Sequence, residues 1–198
     1  MAADVSAQTL DNHEWRRETS DGEYCISTAL RHLDVDFINT AFGTTDMYWA
    51  KSIPKEQIVA LLSQSLTLGV YKVLPAGPRA ANSDSPSSPR TPSPTLESEP
   101  QESLQQVGMA RFVTDRMTAA YLSDVYIHPD YRAFQLGKWL IRCCKEVMDA
   151  MPAMRRGFLL ANPDVGKKFY ERELGFYDMD EEREKVVCMT KRFIPWDS

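Results

Sequence analysis

The sequence predicts an α/β domain of the α+β kind, with a mixed and mostly antiparallel sheet and helices on both faces. Apolar residues make up 43% of the 198 residues, which is enough for a proper core. Short runs of strand composition alternate with segments of helical period, an order typical of layered α/β folds. Two further strand-like runs flank a proline-rich segment, as the two arms of a hairpin would.

The first predicted elements lie in residues 23–66. A strand is predicted at 23–28, "EYCIST", after a flexible N-terminus at 1–22. The first helix begins after Asp34, a suitable N-cap, and the second begins at Pro54, which suits a first helical turn. Their apolar faces follow the helical period: Phe37, Ile38, Ala41 and Phe42 in the first helix, and Ile58, Leu61, Leu62 and Leu66 in the second.

Residues 75–106 differ from the rest of the chain in composition. They hold seven of the twelve prolines and no aromatic residue. Such a segment cannot bury enough apolar surface to offset the entropy lost on ordering, so we expect a disordered insertion. The flanking runs 68–74 and 107–113 are expected to pair, because the cost of closing a loop grows slowly with its length. Residues 23–198 then form a single domain that this insertion interrupts.

The C-terminal elements alternate between strand and helix. They are a strand at 117–127, a helix at 138–151, a strand at 157–162, a helix at 164–174 that Gly175 ends, and a last strand at 184–193. This order places a strand-to-helix turn in the stretch "HPDYRAFQLG", residues 128–137.

The composition argues against several classes of function. A formal net charge of −5 leaves no basic excess to neutralise phosphates, so nucleic acid is not an expected partner. Four cysteines and three histidines show no ligand spacing, so no metal is expected. The N-terminus lacks the apolar core of a signal peptide, and no apolar run is long enough to span a membrane. We therefore expect a protein of the cytoplasm, or of cytoplasm and nucleus. We also expect a monomer or a homodimer.

The turn "YRAFQLGK", residues 131–138, is a candidate phosphate-binding loop. Free amides at a helix N-terminus, the helix dipole and the cations Arg132 and Lys138 would together suit a diphosphate. An ordinary strand-to-helix turn is the commoner reason for such a segment, and Gly137 is its only glycine.

The residues around and after this turn favour the phosphate-binding loop over an ordinary turn. Ile127 and Pro129 lead into "RAFQLG", and "LLANPDVGKKFYERELGF" follows at 159–176. The two segments resemble the core motifs of the GNAT superfamily of N-acetyltransferases: Arg/Gln-x-x-Gly-x-Gly/Ala after a strand, then a helix with an aromatic–Tyr pair followed by Gly-Phe. The N-terminal half is similar to that of small bacterial and fungal GNAT proteins, so the resemblance covers 23–74 and 107–178.

The resemblance implies an acyl-CoA fold that uses acetyl-CoA as acetyl donor. The backbone of the strand before the turn would pair with the pantetheine arm, at Val125, Tyr126 and Ile127. The amides of the turn would hold the pyrophosphate: Arg132, Ala133, Phe134, Gln135, Leu136, Gly137 and Lys138. Asn162 would be a further polar contact to the coenzyme. Gln135 stands where the motif has its first glycine, and we expect it to have a negative φ and an outward side chain.

The resemblance also implies direct transfer of the acetyl group to an amine in a ternary complex. Tyr170 is the candidate acid for the leaving thiolate, and a tyrosine packed at a helix end is the alternative. Asp124 and Ser123 are the candidate bases, although strand alternation puts Asp124 on the opposite face. An ion pair of Asp124 with an arginine, or a chain of waters as the base, is an equal alternative. Residues expected to line the acceptor pocket, unless they are plain core, are Phe42, Tyr48 and Trp49.

The acceptor itself stays open between a small-molecule amine and an amine of a protein or peptide. A catalytically weak acyl-CoA-binding or scaffold module is the alternative function. An α/β domain that binds no coenzyme is a third.

Overall fold

The structure, a computed structural model, describes residues 7–75, 103–179 and 189. Its strands are β1 (Glu14–Thr19), β2 (Gly22–Ser27), β3 (Leu66–Leu74), β4 (Ser103–Thr114), β5 (Ala119–Ile127) and β6 (Arg156–Leu159). Its α-helices are α1 (Val35–Phe42), α2 (Lys55–Ser63), α3 (Leu136–Asp149) and α4 (Gly166–Leu174). Short 3-10 helices lie at Ala7–Asn12, Leu30–His32, Thr45–Met47 and Pro129–Phe134.

The six strands form one sheet in sequence order, from β1 at one edge to β6 at the other. Every neighbouring pair is antiparallel except β5 and β6, which run parallel. A parallel neighbour needs a crossover connection, and α3 supplies it. The predicted mixed, mostly antiparallel sheet is confirmed.

Apolar side chains cover both faces of the sheet. The core between the sheet and α3 includes Leu68, Phe112 and Leu122 of the strands and Leu140 and Cys144 of α3. The core on the other face includes Met109 and Tyr126 of the strands, Ile38 of α1, Ile58 of α2 and Met47 of their connection. Burial of each large aliphatic or aromatic side chain contributes about 1.5–3 kcal/mol, so the two clusters hold helices on both faces, as predicted.

Local signals set several helix boundaries. Asp34 caps α1, because its side chain accepts hydrogen bonds from the amides of Asp36 and Phe37 at 2.9 and 3.0 Å. Gly175 ends α4 with a φ of 72°, a conformation that glycine adopts without steric cost. The second helix is shorter than predicted, since Leu66 begins β3 rather than continuing the apolar stripe of α2.

The N-terminus differs from the prediction of a flexible segment at 1–22, since β1 pairs along its whole length with β2. The side chains of β1 are almost entirely polar, so its sequence lacks the alternation of apolar and polar residues that would predict a strand. The Trp15 indole donates to Glu146 on α3 at 2.7 Å, and the Arg17 guanidinium lies 5.9 Å from the Trp139 ring centroid. Long side chains with polar ends thus cover the core at this edge.

The predicted insertion at 75–106 is too long at its C-terminal end. Residues 103–106 belong to β4, where Ser103 faces Leu74 and Gln106 faces Tyr71. The polar composition of these residues did not predict a strand, because it is pairing with β3 that makes them part of one. Residues 76–102 and the predicted last strand at 184–193 lie outside the described residues, apart from position 189. Within the described part of the chain, no helix has the length and apolarity that a membrane crossing requires.

Candidate active site

A fork between β5 and β6 opens at the C-terminal ends of these strands. Their parallel pairing ends at the pair Leu122–Leu159. Residues 123–127 continue β5 with β4 on one side, while the chain after β6 turns away towards α4. Within the described residues, the other edge of 123–127 has no strand neighbour. Backbone groups on such an edge can pair with an extended ligand that carries amides.

A β-bulge in β5 sits at this fork. Met109 faces Tyr126 and Arg111 faces Ser123, so two residues of β5 lie opposite one residue of β4. Asp124, in the bulge, has a φ of 50°. Bulges re-aim side chains, and this one turns Asp124 from the α3 face to the face of α1 and α2. The expectation from alternation, that Asp124 points away from Ser123, is wrong for this reason.

Asp124 is held by three side chains. Arg111 Nε donates to its Oδ2 at 2.6 Å, and Arg111 Nη2 lies 2.6 Å from the same oxygen. Trp49 Nε1 and Ser123 Oγ donate to its Oδ1 at 3.2 and 3.0 Å. The side chains of Arg111 and Asp124 are only 13% and 6% exposed. Neighbouring side chains thus engage both oxygens of the carboxylate, so the structure agrees with the ion-pair alternative.

The aromatic pair Tyr48 and Trp49 lies on the connection between α1 and α2. The two rings are nearly perpendicular, with centroids 5.0 Å apart, and the residues are 59% and 46% exposed. Both residues are thus accessible to solvent at the mouth of the fork. Phe42 is different: at the end of α1 it is 4% exposed and packs in the core, which agrees with the plain-core alternative for this residue.

The turn from β5 to α3 presents free backbone amides. Gln135 is the N-cap of α3, and its side chain makes no capping hydrogen bond, so the first amides of the helix receive no side-chain acceptor. A Cβ added to Gly137 would have only Cγ1 of Ile127 within 4 Å, at 3.8 Å. The space in front of Gly137 is therefore open to a ligand.

The backbone of Gln135 differs from the expectation. Its φ is 55°, in the left-handed region, rather than negative. Its side chain is exposed, as expected. A non-glycine residue in this region costs roughly 1 kcal/mol, which is the physical reason why a glycine suits the position.

The two predicted cations of the turn already have partners. Arg132 Nη2 lies 2.5 Å from Asp46 Oδ2, and Arg132 Nε donates to the carbonyl of Ile127 at 3.0 Å. Lys138 Nζ lies 3.5 Å from Glu173 on α4. Arg172 and Arg142 bond the same carboxylate at 2.8 and 3.4 Å, and together with Lys138 they lower its pKa. Three cations around one carboxylate leave positive charge beside the N-terminus of α3.

Tyr170 lies on α4 with a half-buried side chain. Burial raises the pKa of Tyr170 to about 12, so the phenol is protonated at neutral pH. Among the described residues, its hydroxyl has no hydrogen-bond partner. It lines a cavity of about 500 Å³, together with Tyr121, Phe158, Leu160 and Phe176. An available hydroxyl beside this cavity can donate to a ligand atom.

Asn162 accepts hydrogen bonds from backbone amides that follow it in the chain. Its Oδ1 accepts from the amides of Asp164 and Val165 at 2.9 and 3.2 Å, and its carbonyl accepts from that of Gly166 at 2.9 Å. These bonds order the chain at the start of α4. Its side-chain oxygen is therefore engaged, and the predicted coenzyme contact could use only the amide N–H groups.

Cysteine and metal chemistry find no support in the described part of the chain. It contains no group of three potential ligands placed to hold a metal ion. Burial raises the pKa of the Cys25 and Cys143 thiols to about 12 each, so neither is a thiolate at neutral pH. A covalent acyl-cysteine step would need that thiolate.

The structure thus brings together three of the predicted residues, Trp49, Ser123 and Asp124. It adds Arg111 and Asp46, which the sequence analysis missed. Neither carries a local motif, because each acquires its role from a partner at least 13 residues away along the chain. For Arg111, only the register between β4 and β5, which places it opposite Ser123, would have indicated its role.

Comparisons with known proteins agree with this geometry. A family model described as an acetyltransferase (GNAT) domain matches residues 101–178. FG08082 of Gibberella zeae, which carries the name of an acetyltransferase, is 30% identical over 160 residues, covering 81% of this chain and 82% of that protein. A GNAT-family structure from Xanthomonas campestris pv. campestris is 22% identical with a TM-score of 0.58, covering 87% of this chain and 94% of that one. SA2161 of meticillin-resistant Staphylococcus aureus has the same fold at 12% identity and a TM-score of 0.51, with coverages of 84% and 99%. The chain therefore belongs to the GNAT acetyltransferase family.

Proposed function

We propose that this protein transfers an acetyl group from acetyl-CoA directly to an amine, with both substrates bound at once. One observation carries the proposal. The unpaired edge of β5, at 123–127, leads directly to the uncapped amides of α3 and the open space at Gly137. An extended amide chain that ends in a pyrophosphate fits this order of groups.

The coenzyme would lie along β5 and end at α3. Backbone groups of Val125 and Ile127 pair with the pantetheine amides, and the amides of Leu136 to Lys138 bind the pyrophosphate. The helix dipole and the positive charge around Glu173 favour the anion further. The side chain of Gln135 stays in solvent, so only its backbone takes part.

The acceptor would approach from the side of Tyr48 and Trp49. Its nitrogen attacks the thioester carbonyl carbon with its lone pair, and the nitrogen then loses a proton. Because Arg111, Trp49 and Ser123 engage both oxygens of Asp124, we assign that proton to water rather than to the carboxylate. Asp124 then positions Trp49 and Ser123 at the mouth of the fork.

Tyr170 would donate its proton to the leaving sulfur when the carbon–sulfur bond breaks. A phenol with a pKa of about 12 is a weak acid towards an ordinary thiolate, whose conjugate thiol has a pKa near ~8.5. Exclusion of water by the bound substrates would narrow this mismatch, because burial raises the pKa of a thiol. Solvent returns the proton to the phenolate.

Calorimetric titration with acetyl-CoA, followed by a thiol-release assay over a panel of amines, tests the proposal. We expect binding without an acceptor and thiol release only with one. At a ligand concentration one hundred times Kd, binding should stabilise the fold by about 2.7 kcal/mol. Binding without turnover over small amines, amino acids, polyamines and peptide N-termini would favour the scaffold alternative. Absence of binding would favour a domain without coenzyme.

A further inference from the structure

The connection between α1 and α2 touches both sides of the coenzyme cleft. We call residues 44–50 the acceptor loop. Near its end, Trp49 donates to Asp124 in the bulge of β5 at 3.2 Å. Near its start, Asp46 pairs with Arg132 in the turn before α3 at 2.5 Å. The loop that carries the aromatic pair is thus tied to the strand and to the phosphate turn separately.

The tie through Asp46 is the more exposed of the two. The Asp46 and Arg132 side chains are 45% and 48% exposed, so water and salt screen their attraction. Arg132 is held in place by a second bond, from its Nε to the carbonyl of Ile127 at 3.0 Å. Its Nη groups can therefore change partner while the stem of the side chain stays at the turn.

We propose that Asp46 is a positioning residue that, through Arg132, couples coenzyme binding to the acceptor loop. The inference rests on the proposed function. A pyrophosphate on the amides of α3 brings two negative charges close to Arg132, which competes with the single charge of Asp46. When Arg132 turns to the phosphate, the start of the acceptor loop is released and only the Trp49–Asp124 tie remains. The mouth of the fork then adjusts to an amine after the coenzyme is in place.

Asp46→Asn tests the competition without any knowledge of the acceptor. Acetyl-CoA should bind this variant about twofold to fivefold more tightly at low salt, because an exposed ion pair of this kind no longer occupies Arg132. Asp130→Asn is the matched control: it also removes one carboxylate charge, from the turn that carries Arg132, and this carboxylate lies 3.6 Å from His128 rather than on Arg132. The control should change the affinity by less than about twofold.

Tryptophan fluorescence follows the loop itself. The full chain has four tryptophans, so the signal of Trp49 is taken as the difference between the parent and Trp49→Phe. Acetyl-CoA should change this signal in the parent, and Asp46→Asn should show most of the change before any coenzyme is added.

Three results would overturn the inference while leaving the proposed function intact: equal effects of Asp46→Asn and Asp130→Asn, weaker binding by Asp46→Asn, or a Trp49 signal in the parent that does not respond to acetyl-CoA. Failure of the parent to bind acetyl-CoA would instead overturn the proposed function, and this inference with it.

Discussion

The indole N–H of Trp49 donates to the carboxylate of Asp124, 75 residues further along the chain, at 3.2 Å. Asp124 can accept this bond only because its own backbone, in the β5 bulge, has a left-handed conformation that directs its side chain towards α1 and α2. The Arg111 guanidinium on the adjacent strand compensates the charge of the buried carboxylate. A backbone irregularity, an ion pair and an exposed aromatic residue therefore form one unit at the fork.

Asp124→Asn should destabilise the fold, because it leaves the nearly buried guanidinium of Arg111 without a counter-charge. Breaking a fully buried pair costs about 3–5 kcal/mol, and we expect about 2–4 kcal/mol here because some exposure remains. Urea denaturation measures the loss. The double variant Arg111→Met, Asp124→Asn should recover part of it, since no unpaired charge is left. A single variant as stable as the parent would show that the pair contributes little.

Tyr170→Phe should lower the turnover number by about 10²–10⁴, the usual effect of removing one proton donor, and leave the affinity for acetyl-CoA unchanged. Since burial raises the pKa of Tyr170 to about 12, the donor stays protonated through neutral pH, and its own loss of activity appears only as the pH rises towards 12. Tyr121→Phe is the control, because Tyr121 lines the same cavity. Equal losses in the two variants would argue against a specific role for Tyr170.

Glu173→Gln should reduce stability at neutral pH and have less effect in acid. The bonds from Arg172, and from Lys138 and Arg142 on α3, lower the pKa of Glu173 below its ordinary 4.5. A carboxyl whose pKa is lower in the folded state stabilises the fold fully above its unfolded pKa, and this contribution disappears as the pH falls through the folded value. Thermal unfolding of both proteins should therefore differ at pH 7, and the difference should shrink as the pH falls below 4.5 through the lowered pKa of the folded state. A constant difference across this range would mean that the carboxylate charge is not the cause.

Predictions from sequence held where the signal was local. Asp34 as an N-cap and Gly175 as a helix end both act through backbone groups within a few residues. The strand β1 and the first residues of β4 were missed because their polar side chains are ordered by a partner strand and not by their own pattern. The predicted orientation of Asp124 was wrong for the same reason, since a bulge depends on the register of two strands.

Gln135→Gly should stabilise the protein by at most about 1 kcal/mol. The φ of 55° at this residue is unfavourable for a side chain, and its removal relieves that cost, while the greater entropy of glycine in the unfolded chain offsets part of the gain. Coenzyme affinity should stay equal or rise within the same limit. Gln135→Ala, which keeps a Cβ in the same conformation, should be close to the parent in urea denaturation. If the glycine variant binds acetyl-CoA clearly more weakly, the glutamine side chain itself contacts the coenzyme.

Replacing residues 75–102 by Asn-Gly should preserve the fold and the affinity for acetyl-CoA. Leu74 and Ser103 are register partners in the antiparallel pair of β3 and β4, so their backbones are already close enough for a two-residue turn. Asn-Gly favours the turn geometry that matches the twist of a hairpin, and a shorter loop loses less entropy on closure, by about 2 kcal/mol at most. The melting temperature should therefore stay the same or rise. A second variant with a longer Gly-Ser linker separates loop length from turn geometry: it should melt at or slightly below the Asn-Gly variant. If both variants melt well below the parent, residues 75–102 contribute contacts to the folded domain, and the expectation drawn from their composition is wrong.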